Sequence, residues 1–291
     1  MNQPHSQRLP RWLKRRVPKG NANHFTAKLL GQLHLQTVCD HARCPNRMEC
    51  YARKTATFLV LGDVCTRRCA FCALTKGKTR RPDPTEPDRV AEAARRLGLR
   101  HVVVTMVTRD DLRDGGAGHV VRTVEAIRRV CGQVSVEVLT SDFAGDRDAL
   151  DRVIDAGPEV FNHNSETVPR LYQTVRGRKA DYRGMLGIFR RIRQRSPRLP
   201  TKSGLMLGLG ETRQELLDTL ADLLDAGCRL LTLGQYLRPS LDQMPVVRYL
   251  PPEEFDELGA MARRMGFRQV ASGPFVRSSY HAGEMVGRGE G

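Results

Sequence analysis

Aromatic residues make up only 5% of this 291-residue chain, and Trp occurs once. A nucleic-acid surface built on stacking platforms wants more rings than that. No apolar run approaches the ~20 residues of a membrane-spanning helix, and no apolar stretch at the N-terminus marks a secretory signal. Acidic residues are missing from the first 39 positions, which hold seven basic ones: Arg8, Arg11, Lys14, Arg15, Arg16, Lys19 and Lys28. Lysine is scarce too. Arg supplies 40 of the 48 basic side chains, a skew that genomic base composition alone can produce. The net charge of +16 suits an anionic partner, whether nucleic acid, a membrane surface or an acidic protein. A chain this long buries roughly 75% of its unfolded surface, so it needs no disulfides to make a core. Without secretion, its eight cysteines point to metal or catalysis rather than to disulfides.

From about residue 56 short apolar runs alternate with helical patterns. The runs are Ala56–Gly62, His101–Val107, Val134–Leu139, Glu159–Phe161, Lys202–Gly208, Arg229–Gly234 and Arg268–Ala271. Several are continuously apolar and rich in Val and Leu, as strands of a parallel sheet covered on both faces are. Val90, Ala94 and Leu97 line one helical face, as do Val120, Val124, Ile127 and Val130, and later Leu216, Leu220, Leu223 and Leu224. Gly98, Gly157, Gly227 and Gly266 stand where C-capping glycines belong. Strand–helix alternation over this length predicts a (β/α) barrel or a doubly wound sheet. The first ~55 residues lack the pattern and read as an extension packed on that body.

Six cysteines form two triplets before residue 73. The second, Cys65-Thr-Arg-Arg-Cys69-Ala-Phe-Cys72, directly follows the strand Phe58–Gly62. A loop at the C-terminal end of a barrel strand is where such folds build active sites. Three thiolates do not complete a tetrahedral zinc site. On a [4Fe–4S] cluster they leave one iron open to a small molecule. The first triplet, Cys39, Cys44 and Cys50, is less specific and reads either as buried thiols or as a second cluster. Cys131 and Cys228 end helical patterns and read as packed structural thiols. In Gly204-Leu-Met-Leu-Gly208-Leu-Gly-Glu211 the glycines allow close backbone approach to a ligand. A dinucleotide fingerprint fails there, because Arg213 stands where the third glycine belongs.

The C-x3-C-x2-C spacing, with the aromatic Phe71 before the last Cys, resembles the radical S-adenosylmethionine (SAM) superfamily. The stretch Thr37–Tyr51 around the first triplet closely resembles the lipoyl synthases. The likeness continues in order through Thr55–Phe58, Leu61–Cys69, Arg109–Leu112, Asp114–Ala117, Val160–Asn164, Lys202–Met206, Gly208–Thr212, Leu233–Leu237 and Ser272–Ala282. It spans about residues 10–284, and the terminal Arg277-Ser-Ser-Tyr280 run makes it highly specific. Arg113 departs from the family's usual Pro, and Gly184-Met185 from a usual Arg-Ser pair.

The resemblance implies an α/β fold, a partial (β/α)6 TIM-like barrel of the radical SAM type over residues 55–272. An N-terminal extension, 1–54, would carry the auxiliary-cluster cysteines, and a C-terminal segment, 273–291, the Arg-Ser-Ser-Tyr motif. The implied activity is insertion of two sulfur atoms at carbons 6 and 8 of a protein-bound octanoyl-lysine, with two SAM molecules consumed. Cys65, Cys69 and Cys72 would hold the radical-generating [4Fe–4S] cluster. Cys39, Cys44, Cys50 and Ser279 would hold an auxiliary one that supplies sulfur. A serine oxygen is a poorer ligand for iron than thiolate, which suits a corner that must come apart. Phe71 would pack on adenine, and Arg109, Asp110, Asp111, Gly115 and Gly116 resemble the element that meets the methionine end. Gly204, Met206, Gly208 and Glu211 match the superfamily's G-x-I-x-G-x-x-E pattern. The carboxylates among these also read as helix caps or a solvated turn. Asn162, His163, Asn164 and Arg176 are candidates for the substrate channel.

Implied partners are octanoylated lipoyl carrier domains of 2-oxoacid dehydrogenase complexes or the glycine cleavage H protein, and a flavodoxin- or ferredoxin-type electron donor. Neither nucleic acid nor membrane is expected, and a bacterial cytoplasm is the expected setting. The rival readings are a radical-SAM enzyme that thiolates tRNA and a basic, zinc-stabilised RNA-binding protein. Paucity of aromatics speaks against the second.

Overall fold

The computed structural model describes residues 8–14 and 23–286, so Arg15, Arg16 and Lys19 of the basic N-terminal stretch lie outside the described residues. The chain opens with α1 (His24–Gln32), β1 (Gln36–Thr37), α2 (Val38–His41), α3 (Arg47–Ala52), β2 (Thr57–Val60), β3 (Val64–Cys65) and β4 (Thr75–Lys76). Strand–helix alternation follows through α4 (Glu86–Leu97), β5 (His101–Met106), α5 (Ala117–Cys131), β6 (Ser135–Leu139), α6 (Arg147–Asp155), β7 (Val160–Asn162), α7 (Tyr172–Arg176) and α8 (Tyr182–Arg195). It ends with β8 (Thr201–Leu207), α9 (Arg213–Ala226), β9 (Leu230–Gln235), α10 (Pro252–Met265), β10 (Gln269–Gly273) and α11 (Ala282–Val286).

All seven strands expected from the apolar runs are present, and they neighbour one another in chain order: β2, β5, β6, β7, β8, β9, β10, every pair parallel. Consecutive order is the winding of a barrel; a doubly wound sheet reverses direction at a switch point. Six strand–helix units and a seventh strand therefore curl into an open barrel, whose end strands, β1 and β10, are not paired to each other. The N-terminal extension does more than pack on this body: β1 adds an antiparallel edge, with Gln36 opposite Leu59 and Thr37 opposite Phe58.

The strands are largely buried and mostly apolar because helices cover their outer face and the barrel interior the other. All six residues of β9 are buried. Leu216, Leu220 and Leu223 of α9 are buried against the sheet, each contributing roughly 1.5–3 kcal/mol. That helix starts with a capping box between Thr212 and Glu215 and stops at Gly227, whose φ of 110° suits a residue without Cβ. Val130, expected on the buried face of α5, is exposed.

Charge is buried inside the barrel. Lys202 on β8 places Nζ 3.0 and 3.1 Å from the Glu137 carboxylate on β6, and Asn162 of β7 donates to the same carboxylate at 2.8 Å. Burial works against that carboxylate's charge, yet Lys202, His101 and Asn162 together hold Glu137 below the usual range. At the N-terminal end of the barrel, Met285 of α11 packs on Val160 and Leu230, the first residues of β7 and β9. Cys228 is buried with its thiol donating to Leu230 O at 3.4 Å, and Cys131 is partly buried with its thiol 3.6 Å from Ala91 O.

Candidate functional site

The second cysteine triplet sits on a tethered loop. β3 and β4 pair in parallel with Cys65 opposite Lys76, so Cys69 and Cys72 lie in the excursion between them. Thr66 N–H donates to Thr108 O at 3.1 Å, Ala70 N–H to Val175 O at 2.8 Å, and Met244 N–H to Ala70 O at 3.0 Å. Segments after three different parallel strands, one of them α7, thus hold the excursion. Arg67 is its main anchor. Its buried guanidinium meets Asp110 at 2.9 Å and Asp142 at 2.7 Å, and these two carboxylates hold the cation well above its ordinary pKa despite burial.

Upstream, Leu61 adopts a left-handed φ of 71°. Its N–H donates to the Glu86 carboxylate at 2.8 Å, and its carbonyl accepts from Arg109 at 3.2 Å. Glu86 is fixed in turn by His119 at 2.7 Å. A left-handed leucine is costly and persists only where its surroundings over-determine it. Here a buried carboxylate and a buried guanidinium grip both polar groups of the peptide leading into the Cys65 loop.

The first triplet rides on two short helices. Thr37 caps α2, accepting from Asp40 N–H at 3.2 Å, which sets Cys39 in the first turn; α3 carries Cys50. The Cys44 N–H donates to Cys39 O at 3.1 Å and closes the loop between them. Members of each triplet feel one another electrostatically. Burial first, then Cys44, pushes Cys39 up to about 11, and burial with Cys39 and Cys44 pushes Cys50 up to about 12. Burial with Cys69 and Cys65 pushes Cys72 up to about 12, and burial also raises Cys69. Thiols in such surroundings stay protonated until cationic iron draws them into ligation. Among the described residues no three His, Cys, Asp or Glu converge on a single metal ion.

Both triplets border one cavity of about 1100 Å³. Phe71, Asn164, Arg176, Gly204, Met206 and Ser279 also line it. Its polar atoms include Thr140 Oγ1, Asn164 Oδ1 and Asn46 Oδ1, buried without a hydrogen-bond partner among the described residues. Such atoms fit a cavity that accepts a polar ligand beside thiol-held iron.

The C-terminal segment closes the cavity next to the first triplet. Thr57 Oγ1 donates to Ser279 Oγ at 2.7 Å, and the same Thr57 hydrogen-bonds toward Cys39. Asn46 donates to Phe275 O at 2.7 Å, and Tyr280 OH donates to Glu49 on α3 at 3.0 Å. Ser278 accepts from Asn164 at 2.7 Å, and a Cβ at Gly204 would come within 3.1 Å of its hydroxyl oxygen.

Other expected site residues lie outside the cavity lining. Arg109 is buried and bonds Asp111 at 2.8 Å, Leu61 O at 3.2 Å and Arg80 O at 2.8 Å. Asp110 is held by Arg67. Gly115 and Gly116 let their turn pack tightly: a Cβ would fall 2.8 Å from Phe143 Cα and 2.4 Å from Leu61 Cδ1 respectively. Glu211 accepts from Gly208 N–H at 2.6 Å and Leu209 N–H at 2.9 Å, fixing a turn in which Gly208 has φ 94°. Asn162 is spent on Glu137, and His163 bonds Thr140 O at 2.9 Å. Burial, with Arg176 nearby, drops His163 to about 4, so it is neutral at ordinary pH.

Sequence reasoning missed Thr57, Arg67, Glu86 and Glu166. Glu166 lines the cavity with φ 68°, accepts from Asn164 at 3.0 Å and is raised by burial. The Arg67 role had a signal, a basic residue inside a ligand loop; Glu86 and Thr57 had none short of the fold.

Residues 59–223 match the Radical SAM superfamily, and residues 1–44 match the N-terminal domain of lipoyl synthase of that family. The chain is 60% identical over 280 residues to lipoyl synthase of Rhodopirellula baltica, covering 96% of this chain and 88% of that one. It is 51% identical over 275 residues to lipoyl synthase of Caldanaerobacter subterraneus subsp. tengcongensis, covering 94% and 96%. Among solved structures, methylornithine synthase superposes with a TM-score of 0.55 at 14% identity, over 86% of this chain and 84% of that one. Coproporphyrinogen III oxidase of Escherichia coli superposes with a TM-score of 0.53 at 15% identity, over 72% and 52%. These two show a shared fold.

Proposed function

Because the chain belongs to the lipoyl synthases of the radical SAM superfamily, we propose how its own residues divide the insertion of two sulfur atoms into a protein-bound octanoyl chain. Cys65, Cys69 and Cys72 would hold a [4Fe–4S] cluster that binds SAM, and Cys39, Cys44, Cys50 and Ser279 would hold an auxiliary cluster. When bound, these groups supply the electron that cleaves SAM, the radical that takes hydrogen from carbons 6 and 8, and the sulfur.

The polypeptide's part is placement. Arg67 fixes the loop of the first ligand set, and Glu86 with Arg109 fixes the strained peptide that leads into it. Arg109, Asp110, Asp111, Gly115, Gly116, Gly208 and Glu211 act on SAM through the loops they hold, while Phe71, Gly204 and Met206 line the cavity where it binds. Val103, Met106, Leu139 and Leu205 give that cavity apolar wall for an octanoyl chain. Arg176 lines it and caps Asn164 O, which orients the neighbouring amide. Neutral His163 acts from behind that wall as a hydrogen-bonding prop. Ser279 reaches the auxiliary set through Thr57 and would be its oxygen ligand.

The carrying observation is that both triplets border one cavity, with Ser279 bonded to the threonine that meets Cys39. The partner is an octanoylated carrier domain, of a 2-oxoacid dehydrogenase complex or of H-protein type, and a flavodoxin- or ferredoxin-type protein supplies electrons. We place the reaction in a bacterial cytoplasm, with residues 1–54, 55–272 and 273–291 as extension, barrel and closing segment. The test is an anaerobic incubation with octanoyl-lysyl peptide, SAM and reductant. Dithiolated peptide is expected, and its absence from a fully reconstituted preparation overturns the reading.

A further inference from the structure

The surface behind the radical-cluster loop is predominantly basic, and most of its few acids are already engaged. Cys65 pairs across the two-stranded ladder with Lys76, and Gly77 N–H donates to Cys65 O at 3.3 Å. The ladder is solvent-facing on its β4 side, where both residues are exposed. Lys78, Arg80 and Arg81 continue the chain from it, all exposed. Their backbone is held against the barrel: Thr79 Oγ1 donates to Asp111 at 2.7 Å, and Arg80 O accepts from Arg109 at 2.8 Å. Arg68 is exposed on the cysteine loop itself, and its carbonyl lies 3.6 Å from where a Cβ of Gly177 would sit. Exposed Arg178 and Lys179 follow that glycine.

These charges are not neutralised by neighbours. Among the described residues, Arg68, Lys76, Lys78, Arg80, Arg81 and Arg178 form no ion pair with a carboxylate. Lys179 reaches Asp110 only at 3.5 Å, and that carboxylate is already engaged by Arg67. The exposed acids nearby are Asp63, Asp83, Asp111 and Asp181; Asp83 is paired with Arg89 at 2.8 Å and Asp111 with Arg109 at 2.8 Å, and Asp181 accepts from Arg183 N–H at 2.9 Å to cap α8. A like-signed field of this kind costs the fold self-repulsion and returns nothing to stability. Its use is to attract an oppositely charged partner.

We propose that this face docks an acidic one-electron donor protein directly over the ligand loop of the SAM-cleaving cluster. The inference rests on the functional reading above, because that reaction takes up one electron from outside for each SAM cleaved. The electron leaves the donor's reduced cofactor, enters through the Cys65–Cys72 loop and ends in the carbon–sulfur bond that breaks, so the donor is oxidised by one unit per cleavage. Redox encounters of this kind bury little surface and rely on charge steering, which a ladder of exposed lysines and arginines provides without an apolar core. Carrier docking is the competing use of the face.

The test uses the reconstituted holoenzyme and the variant Lys78→Glu/Arg81→Glu/Arg178→Glu, none of which lines the cavity. A reduced acidic flavodoxin and dithionite are compared as electron sources, reading SAM cleavage and the rate of flavodoxin oxidation. With flavodoxin, KM should rise roughly tenfold or more and its salt dependence flatten. With dithionite, SAM cleavage and the KM for octanoylated carrier should match the parent. Equal loss with both reductants, or no change with flavodoxin, overturns the proposal, as does a rise in carrier KM alone. A parent enzyme that cleaves SAM with flavodoxin but makes no dithiolated product refutes the functional reading and leaves the docking surface standing.

Discussion

Replacing Arg67 by Met tests whether the cysteine loop is held as described. The guanidinium is almost fully buried and makes bonds of 2.7–3.2 Å to the two carboxylates. Removing it leaves Asp110 and Asp142 facing each other with side-chain exposures of 13% and 25%. Breaking one side of a buried ion pair costs about 3–5 kcal/mol, and residual solvent access puts this case at the lower end. At about 2 °C per kcal/mol for a chain of this size, the melting temperature should fall by about 6 °C. Loss concentrates in the loop, so the iron content of the reconstituted protein should drop toward about four per chain, with the auxiliary signal preserved in electron paramagnetic resonance. Arg67→Lys keeps the charge but cannot fork two carboxylates, and should fall between parent and Met. Acidity sharpens the test. Arg67 holds Asp142 below the usual carboxylate range although burial opposes this, so its stabilisation is complete above about pH 4 and is lost as pH falls through the lower folded value. The gap in melting temperature between parent and Met variant should therefore narrow in acid. Full iron and an unchanged melting temperature in Arg67→Met would refute the reasoning.

Three further outcomes follow from the same geometry. Lys202→Met strands the Glu137 carboxylate inside the barrel and should cost about 3–5 kcal/mol in a denaturant titration, most of it regained in Glu137→Leu/Lys202→Met; equal damage in single and double variants counts against the pair. Ser279→Cys should retain both clusters by iron analysis yet lose roughly tenfold or more of dithiolated product, since thiolate grips iron better than serine oxygen; parent-rate product would sink that idea. Gly204→Ala puts a Cβ 2.7 Å from Thr232 Oγ1 and 2.9 Å from Asn164 Oδ1, so about 1–3 kcal/mol of stability should be lost and SAM affinity should weaken in equilibrium binding.

Much of this architecture was legible from periodicity. Every strand of the seven-stranded parallel series coincides with an apolar run, because cover by helices outside and by the barrel interior keeps most of its residues apolar. β1 was not legible: a two-residue edge such as Gln36–Thr37 has no period to read and exists only because β2 offers it hydrogen bonds. Both cysteine triplets were visible because ligand loops are short and local. Arg109, Asp110 and Asp111 were equally visible as chemistry-bearing residues, but their geometry depends on Leu61, Arg67 and Thr79, up to 48 residues away. Sequence pattern shows which residues can bond and leaves the choice of partner to tertiary structure. Glu86 illustrates the limit, since an acid in the first turn of a helix reads as a dipole partner, whereas this one grips a strained peptide.

The contact of Ser279 with Thr57, and of Tyr280 with Glu49, also sets a schedule for the making of the protein. A ribosome adding about 5–20 residues per second needs roughly 10–50 s to travel from Cys50 to Ser279. Through that interval Cys39, Cys44 and Cys50 have no closing segment over them, while Cys65, Cys69 and Cys72 wait only for the strands that follow. The Cys65–Cys72 loop gains its last tether when Met244 is made, and the first triplet gains its own only with Ser279 and Tyr280. Until the chain is complete, the first triplet offers three thiols and no serine.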